Sequence, residues 1–161
     1  MLDLDGFKAV NDSFGHKVGD RMLMEVGQVI LNQLRDYDFL ARYGGDEFIA
    51  LIPETGSNDV TDLCDRIEKA VSSFSLTFEN DTFARVGVSL GASTYPADGE
   101  TFDQMVVAAD KAMYERKTSR KLYAALKSKA GGSNALDDPS HGDSFIVELD
   151  ESHVLSSSSI N

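Results

Sequence analysis

Cysteine is almost absent from this chain. Cys64 is the only cysteine among the 161 residues, which excludes a disulfide framework within the chain and a zinc site built from cysteines. Cys64 falls within the apolar stripe of a predicted helix, so we expect it to be a core residue.

Long apolar runs and a leader pattern are also missing. No hydrophobic stretch approaches the roughly 20 residues that span a membrane as a helix. Residues 1–5 lack the basic start and the apolar stretch of a signal peptide. We therefore expect no membrane segment and a cytoplasmic location.

Basic residues are few in comparison with acidic ones. The chain has 15 Lys and Arg against 27 Asp and Glu, which gives a net charge of −12. Such a surface argues against nucleic acid as a partner, because binding a phosphate backbone needs a basic footprint. It does not exclude a nucleotide held through a divalent metal ion, because carboxylates are the usual ligands of such ions.

The hydrophobic pattern predicts a strand, a helix, two strands, a helix, a strand and a helix. We predict a strand over 1–5, a loop over 6–19, a helix from Asp20, a hairpin over 38–52, a helix over 60–74, a strand over 83–95 and a helix behind a capping box at Thr101 and Gln104. This order is the split βαβ pattern of ferredoxin-like folds. The predicted fold class is therefore α/β, as an α+β sandwich.

The composition changes near residue 126. Residues 128–161 contain nine serines, several acids and little periodic hydrophobicity. We therefore predict a folded domain over 1–126 and an acidic, serine-rich tail or linker over 127–161, without a packed structure of its own.

Two glycines and two acids stand together between two apolar runs. Gly44 and Gly45 can supply the positive φ that tight hairpin turns need, and Asp46 and Glu47 follow at once. Folding does not require two acids at this place. An ordinary polar turn is the alternative, but we favour a site for a metal–nucleotide complex.

A second acidic pair lies on the first predicted strand. Asp3 and Asp5 are two residues apart, so they face the same side of a regular strand. In a split βαβ sheet this strand lies beside the hairpin, where Asp3 can meet Asp46. With the Leu4 carbonyl, these two carboxylates form the hard oxygen set that Mg²⁺ accepts. Solvated acids at a strand end are the alternative.

Three motifs in sequence order closely resemble those of the GGDEF family of diguanylate cyclases. They are Asp-x-Asp-x-Phe-Lys-x-x-Asn-Asp over 3–12, Gly-His-x-x-Gly-Asp over 15–20 and Arg-Tyr-Gly-Gly-Asp-Glu-Phe over 42–48. The match continues over 88–92 and 109–117 and covers about residues 1–123. The resemblance implies a palm-like mixed sheet of the nucleotide-cyclase type, with helices packed on it. It also implies the condensation of two GTP into cyclic di-GMP and two pyrophosphates, at a site formed between the subunits of a homodimer.

The resemblance also implies roles for individual residues. Mg²⁺, with Mn²⁺ as a possible substitute, would bind Asp3, the Leu4 carbonyl and Asp46. Asp46 or Glu47 would help to deprotonate the attacking 3′-hydroxyl. Asn11 and Asp20 would read guanine. The residues that would contact the rest of GTP are Gly6, Phe7, Lys8, Gly44, Gly45, Lys117 and Lys121, of which Lys117 would reach the terminal phosphate and Lys121 stands where an arginine is usual.

Arg35 and Asp38 precede the glycine pair at the spacing of the family's inhibitory site for its own product. An arginine fork can pair with a guanine edge or a phosphate, although a plain surface ion pair is the alternative. The family usually carries a segment before the first strand, and we expect this domain to lack it. The rival to an active enzyme is a module that only binds cyclic di-GMP or GTP; another metal-dependent nucleotidyl transferase is a third possibility.

Overall fold

The computed structural model describes residues 1–78 and 82–130. Its elements, in chain order, are β1 (Leu2–Asp5), α1 (Phe7–Phe14), α2 (His16–Leu31), β2 (Phe39–Gly44), β3 (Glu47–Leu51), α3 (Ser57–Ser72), β4 (Leu76–Thr77), β5 (Phe83–Ala84), β6 (Gly87–Leu90) and α4 (Phe102–Ala130).

The main sheet has four strands in the order β2-β3-β1-β6. The first strand lies beside the hairpin, as predicted, and Asp3 faces Glu47 on one side and Ser89 on the other. The ferredoxin-like fold is confirmed. All three strand pairings are antiparallel, so the expectation of a mixed sheet is wrong. In a split βαβ unit, the two strands that a helix connects are parallel but not adjacent, and an antiparallel strand lies between them. Each pair of neighbouring strands is therefore antiparallel.

The two faces of β1 differ in chemistry. Leu2 and Leu4 are almost fully buried in the core. Asp3 and Asp5 alternate to the opposite face of the sheet, because successive side chains of a strand point to opposite sides. The core is completed mainly by α2, α3 and neighbouring strands, through Met22, Val26, Ile30, Phe48, Ile67, Val71, Val88 and Leu90.

The predicted loop over 6–19 is wrong, because this segment is helical. Its glycines act at helix ends and at a helix contact. Gly6 has φ 83° and precedes α1, and Gly15 has φ 83° and separates α1 from α2. Gly19 lies inside α2, where a Cβ atom would come within 3.2 Å of the Phe7 ring. Consequently α2 begins at His16 rather than at Asp20.

Two further boundaries differ from the prediction. The hairpin turn is at Gly45–Asp46, with Gly44 still in β2 after a register shift. The predicted strand over 83–95 is divided between β5, which pairs with β4, and β6, which pairs with β1. Helix α4 continues to Ala130, and the end of the domain at residue 126 stays a prediction. Residues 131–161 lie outside the described residues, and the predicted tail there stays a prediction.

The other helices agree with their sequence signals. The capping box before α4 is formed, because Gln104 N–H donates to Thr101 Oγ1 at 3.3 Å and Thr101 N–H donates to Gln104 Oε1 at 3.3 Å. Cys64 is buried in α3, as expected. Among the described residues, no helix combines the length and the apolar character that crossing a membrane requires.

Candidate functional site

The acids of β1 and those of the hairpin turn meet at the backbone. Leu4 N–H donates to the carbonyl oxygen of Asp46 at 3.2 Å, and Asp3 is the register partner of Glu47. Asp46 and Glu47 are both partly buried. The tertiary structure thus brings the predicted metal ligands and the predicted base to one place, at the junction of β1 and β3.

The Gly45 turn is held by a residue to which sequence reasoning gave no role. Gly45 has φ 39°, which favours glycine. Arg42 stabilises the turn, because its Nε and Nη2 donate to the Gly45 carbonyl oxygen at 2.9 and 2.7 Å. Arg42 is the first residue of the motif over 42–48, but only the tertiary structure shows that its guanidinium contacts the turn. Arg42 therefore fixes the carbonyl direction immediately before Asp46.

Lys117 extends from α4 to the two carboxylates of β1. Its Nζ lies 2.5 Å from Asp5 Oδ1 and 3.3 Å from Asp3 Oδ2. Ser89 Oγ donates to the other oxygen of Asp5 at 2.6 Å. The hydrogen bond that Lys117 Nζ donates to Asp5, together with the charges of Asp5 and Asp3, raises the pKa of Lys117 above its usual value and outweighs the lowering by burial. Lys117 is therefore a protonated side chain that is held at this site by two carboxylates.

The donor set suits a hard divalent cation. In the described parts of the chain, no three His, Cys, Asp or Glu side chains cluster closely enough to hold a metal ion by themselves. A cation here would need oxygen atoms from Asp3, the Leu4 carbonyl, Asp46 and a phosphate, which is the mixed set that Mg²⁺ favours. The Lys117 ammonium already lies against Asp3, which shows that this face attracts positive charge.

The start of α1 presents backbone donors. Gly6 occupies the N-cap position in the left-handed region, and no side chain caps the helix. Phe7 is buried in the core, so it can offer a ligand only its backbone N–H, whereas Lys8 is exposed. Free N–H groups at a helix N-terminus attract anions.

Asn11 of α1 packs on Gly19, the residue that precedes Asp20 in α2. A Cβ atom on Gly19 would lie 2.9 Å from Asn11 Cγ, so the Asn11 side chain rests directly on this glycine. Asp20 follows Gly19 in α2 and is exposed. The Asn11 amide thus lies against the residue next to Asp20, at a close contact between α1 and α2. The side chain of Lys121 lies outside the described part of the structure, and its predicted role is untested.

Arg35 and Asp38 lie on the connection between α2 and β2, and they do not form the ion pair that was the alternative. Arg35 N–H donates to Asp38 Oδ2 at 2.8 Å, and Arg35 Nη1 donates to the Tyr37 hydroxyl at 3.0 Å. Tyr37 also raises the pKa of Arg35. Asp38 Oδ1 is buried and has no hydrogen-bond partner in the described structure, which is unusual for a carboxylate oxygen.

These two residues line a cavity of about 100 Å³ together with Arg66 of α3. Sequence reasoning missed Arg66, which is distant in sequence and carries no motif. Its Nη2 donates to the Gln33 carbonyl oxygen at 2.7 Å, and this contact holds the guanidinium across the connection from Arg35. The cavity is therefore lined by two arginines, Arg35 and Arg66, and by three acids, Asp38, Asp59 and Asp62.

Comparison with known proteins gives one consistent family. The family described as "Diguanylate cyclase, GGDEF domain" matches residues 1–122. The bifunctional diguanylate cyclase/cyclic di-GMP phosphodiesterase MucR of Pseudomonas aeruginosa is 40% identical over 117 residues, which are 73% of this chain and 17% of MucR. Diguanylate cyclase A of Treponema denticola is 39% identical over 126 residues, which are 78% of this chain and 34% of that protein.

Solved structures agree with the sequence relatives. The GGDEF domain of DgcB from Caulobacter crescentus, in complex with c-di-GMP, is 33% identical with a TM-score of 0.66 and covers 73% of this chain and 70% of its own. The diguanylate cyclase SiaD from Pseudomonas aeruginosa, in complex with its activator SiaC, is 36% identical with a TM-score of 0.65 and covers 73% of this chain and 45% of its own. The chain spans about a third or less of the two curated relatives.

Proposed function

The chain belongs to the GGDEF domain family of diguanylate cyclases, and from that premise we propose that it condenses two GTP into cyclic di-GMP and two pyrophosphates. The observation that carries the proposal is the junction of β1 and β3. There Leu4 N–H bonds to the Asp46 carbonyl and Asp3 faces Glu47, with the Lys117 cation alongside. A module that only binds nucleotide has no need of these acids.

The reaction requires two equivalent phosphoryl transfers. In each, the 3′-oxygen of one GTP attacks the α-phosphorus of the other, an O–P bond forms, and the bond between the α-phosphorus and the bridging oxygen breaks to release pyrophosphate. The 3′-hydroxyl proton passes to Asp46 or Glu47, both partly buried beside the turn. Arg42 holds the turn through the Gly45 carbonyl and thus fixes the position of these acids.

A divalent ion, Mg²⁺ or Mn²⁺, would supply positive charge against the α-phosphate and the leaving pyrophosphate when bound by Asp3, the Leu4 carbonyl and Asp46. The chain's own groups perform the remaining tasks. The N–H groups of Gly6, Phe7 and Lys8 bind phosphate oxygens at the start of α1. Lys117 offers its ammonium to the terminal phosphate.

Guanine selection follows from the Asn11–Asp20 pair. A carboxylate accepts hydrogen bonds from the N1–H and N2–H₂ edge of guanine, an edge that adenine lacks. Within the described residues, each chain supplies one such pair and therefore places one GTP. A reaction between two GTP molecules then needs two chains facing each other, so a homodimer is part of the proposal.

We also propose that the product inhibits the enzyme by binding in the cavity lined by Arg35, Asp38 and Arg66. The Asp38 carboxylate can accept from guanine nitrogens, and the guanidinium groups of Arg35 and Arg66 can bind a guanine edge or a phosphate. The same cavity favours the alternative of a non-catalytic cyclic di-GMP binding module, because it does not depend on Asp46. Since GTP is a cytoplasmic nucleotide, we also infer a cytoplasmic domain.

The deciding experiment incubates the purified full chain with GTP and Mg²⁺ and measures both pyrophosphate and cyclic di-GMP. Asp46→Ala should lower product formation by at least about 100-fold, because a positioned base and a metal ligand are both lost. Glu25→Ala is the matched control, since Glu25 is a half-exposed partner of Arg21 on α2. We expect this control to keep the wild-type rate.

The binding-module alternative predicts a different result. Folded, concentrated protein would then form no product but would still bind cyclic di-GMP in calorimetry, and Arg35→Ala would weaken that binding. Product from both the wild type and Asp46→Ala would contradict the site assignment.

A further inference from the structure

The two aspartates of β1 are in different states. Both oxygens of Asp5 are occupied, Oδ1 by Lys117 Nζ at 2.5 Å and Oδ2 by Ser89 Oγ at 2.6 Å. In the described structure, the Asp3 carboxylate accepts a longer contact from the same ammonium, at 3.3 Å to Oδ2. Asp3 therefore has more coordination capacity to spare for a cation than Asp5 has.

Ser89 is the unusual residue of this group. It is the buried polar residue of the described part of the chain, at 6% exposure, and it lies on the Asp3 and Asp5 face of the sheet. It lies opposite Asp3 in the register of β1 and β6, whereas Asp5 lies opposite Gly87, so its hydroxyl reaches diagonally to Asp5. A buried hydroxyl without a partner is unfavourable, and this hydrogen bond satisfies it. The same bond fixes the direction in which the Asp5 carboxylate points.

Lys117 needs such a fixed partner. A lysine side chain is a point charge on a flexible stem, and Lys117 comes from α4, an element separate from β1. The contact with Asp5 joins the two elements across 112 positions of sequence. It also keeps the ammonium next to Asp3, at the edge where a metal-bound polyphosphate would enter.

We propose that Asp5 and Ser89 are positioning residues for the binding of a nucleoside triphosphate. Ser89 orients Asp5, and Asp5 holds the Lys117 ammonium in place for the terminal phosphates. The inference rests on the proposed function in taking GTP as the ligand. It assigns the two aspartates separate tasks, since Asp3 is left for the metal ion and Asp5 binds no metal.

The test measures two affinities of the full chain by calorimetry in the presence of Mg²⁺. One is the affinity for a non-cleavable GTP analogue with a β,γ-imido bridge, and the other is the affinity for GMP. We call the first divided by the second the triphosphate ratio. The ratio of the two affinities isolates the terminal phosphates, because both ligands carry the same guanosine. Ser89→Ala and Asp5→Asn should lower this ratio by about tenfold, the effect of losing one charge-assisted hydrogen bond, and leave the affinity for GMP unchanged.

Two variants serve as controls. Ser89→Thr keeps the hydroxyl and should restore most of the ratio. Ser93→Ala removes a different hydroxyl bond near α4, from Ser93 Oγ to the Met105 carbonyl oxygen at 2.8 Å, and should leave the ratio at the wild-type value. A ¹⁵N spectrum of the lysine ammonium groups gives a readout independent of any nucleotide, because the Lys117 Nζ signal should shift in Ser89→Ala and not in Ser93→Ala.

The outcomes separate the two proposals. If the wild type makes no cyclic di-GMP but Ser89→Ala lowers the triphosphate ratio, the positioning role stands and the proposed reaction fails. If the wild type makes product and both variants keep the wild-type ratio, the positioning role is overturned. A higher ratio in Asp5→Asn would also overturn it, because Asp5 would then compete with the phosphates for Lys117. If Asp5→Asn does not fold, Ser89→Ala alone decides.

Discussion

Helix α2 contains two glycines that should respond in opposite ways to alanine. Alanine is about 0.8–1.0 kcal/mol better than glycine in a helix interior. At Gly27 a new methyl group would meet only Phe48 Cε1 at 3.6 Å, an ordinary contact. We therefore expect Gly27→Ala to stabilise the domain by about 0.5–1 kcal/mol.

Gly19 is the opposite case. Its new methyl group would lie 2.9 Å from Asn11 Cγ and 3.2 Å from the Phe7 ring, where an ordinary contact starts at 3.4 Å. Asn11 must retreat by at least about 0.5 Å, and its Oδ1 atom by more. Since Asn11 is the proposed guanine reader, the hydrogen bond that it would give to the base is lost. A net hydrogen bond of about 0.5–1.5 kcal/mol corresponds to a roughly two- to twelvefold weaker Kd.

The assay measures guanine nucleotide binding by calorimetry and the melting temperature of both variants and the wild type. Gly19→Ala should bind the non-cleavable GTP analogue two- to twelvefold more weakly, and Gly27→Ala should bind it like the wild type. Gly27→Ala should also melt a few degrees higher. If Gly19→Ala binds as tightly as Gly27→Ala while folded, Asn11 does not read guanine from its place against Gly19.

Three further variants test other contacts. Gly91→Ala would place a methyl group 2.7 Å from Met113 Cβ and still closer to the α4 backbone, so denaturant unfolding should show a loss of about 3 kcal/mol; unchanged stability would mean that α4 does not pack on Gly91 in solution. Arg42→Ala removes both hydrogen bonds to the Gly45 carbonyl and should lower product formation by about tenfold or more at unchanged GTP affinity, whereas a pure affinity loss would contradict a role in holding the turn. Arg66→Ala should weaken cyclic di-GMP binding by about tenfold through loss of a charge-assisted contact, and equal affinity in the variant and the wild type would exclude Arg66 from the product site.

The elements with strong periodic signals were predictable from local sequence. The stripe from Val60 to Phe74 gave α3, and Thr101 with Gln104 gave the start of α4, because both signals are complete within one element. The first strand beside the hairpin followed from the order of elements. In contrast, the glycines at 6, 15 and 19 predict a loop, whereas the segment is helical. A glycine can lie at the end of a helix, contact a neighbouring helix, or lie in a loop. Local sequence does not distinguish these three cases.

The candidate site divides in the same way. Asp3, Asp46, Asn11 and Asp20 could be named because they stand in long ordered motifs. Arg66 could not be connected to Arg35, since the cavity that they share is formed by α3 packing near the end of α2. Asp5 and Ser89 lie within the family motifs, but no local signal connects them, because their contact joins β1 to β6 through the register of the sheet.

The sequence alone determined the family, the order of the elements and the kinds of side chain available for chemistry, because these depend on residue identity and spacing along the chain. The tertiary structure alone decided which of those side chains meet. Asp5 takes Ser89 from the next strand and Lys117 from the last helix, and Arg42 turns back onto Gly45. Such pairings depend on register, helix packing and rotamer choice, and these are fixed only when the whole core closes.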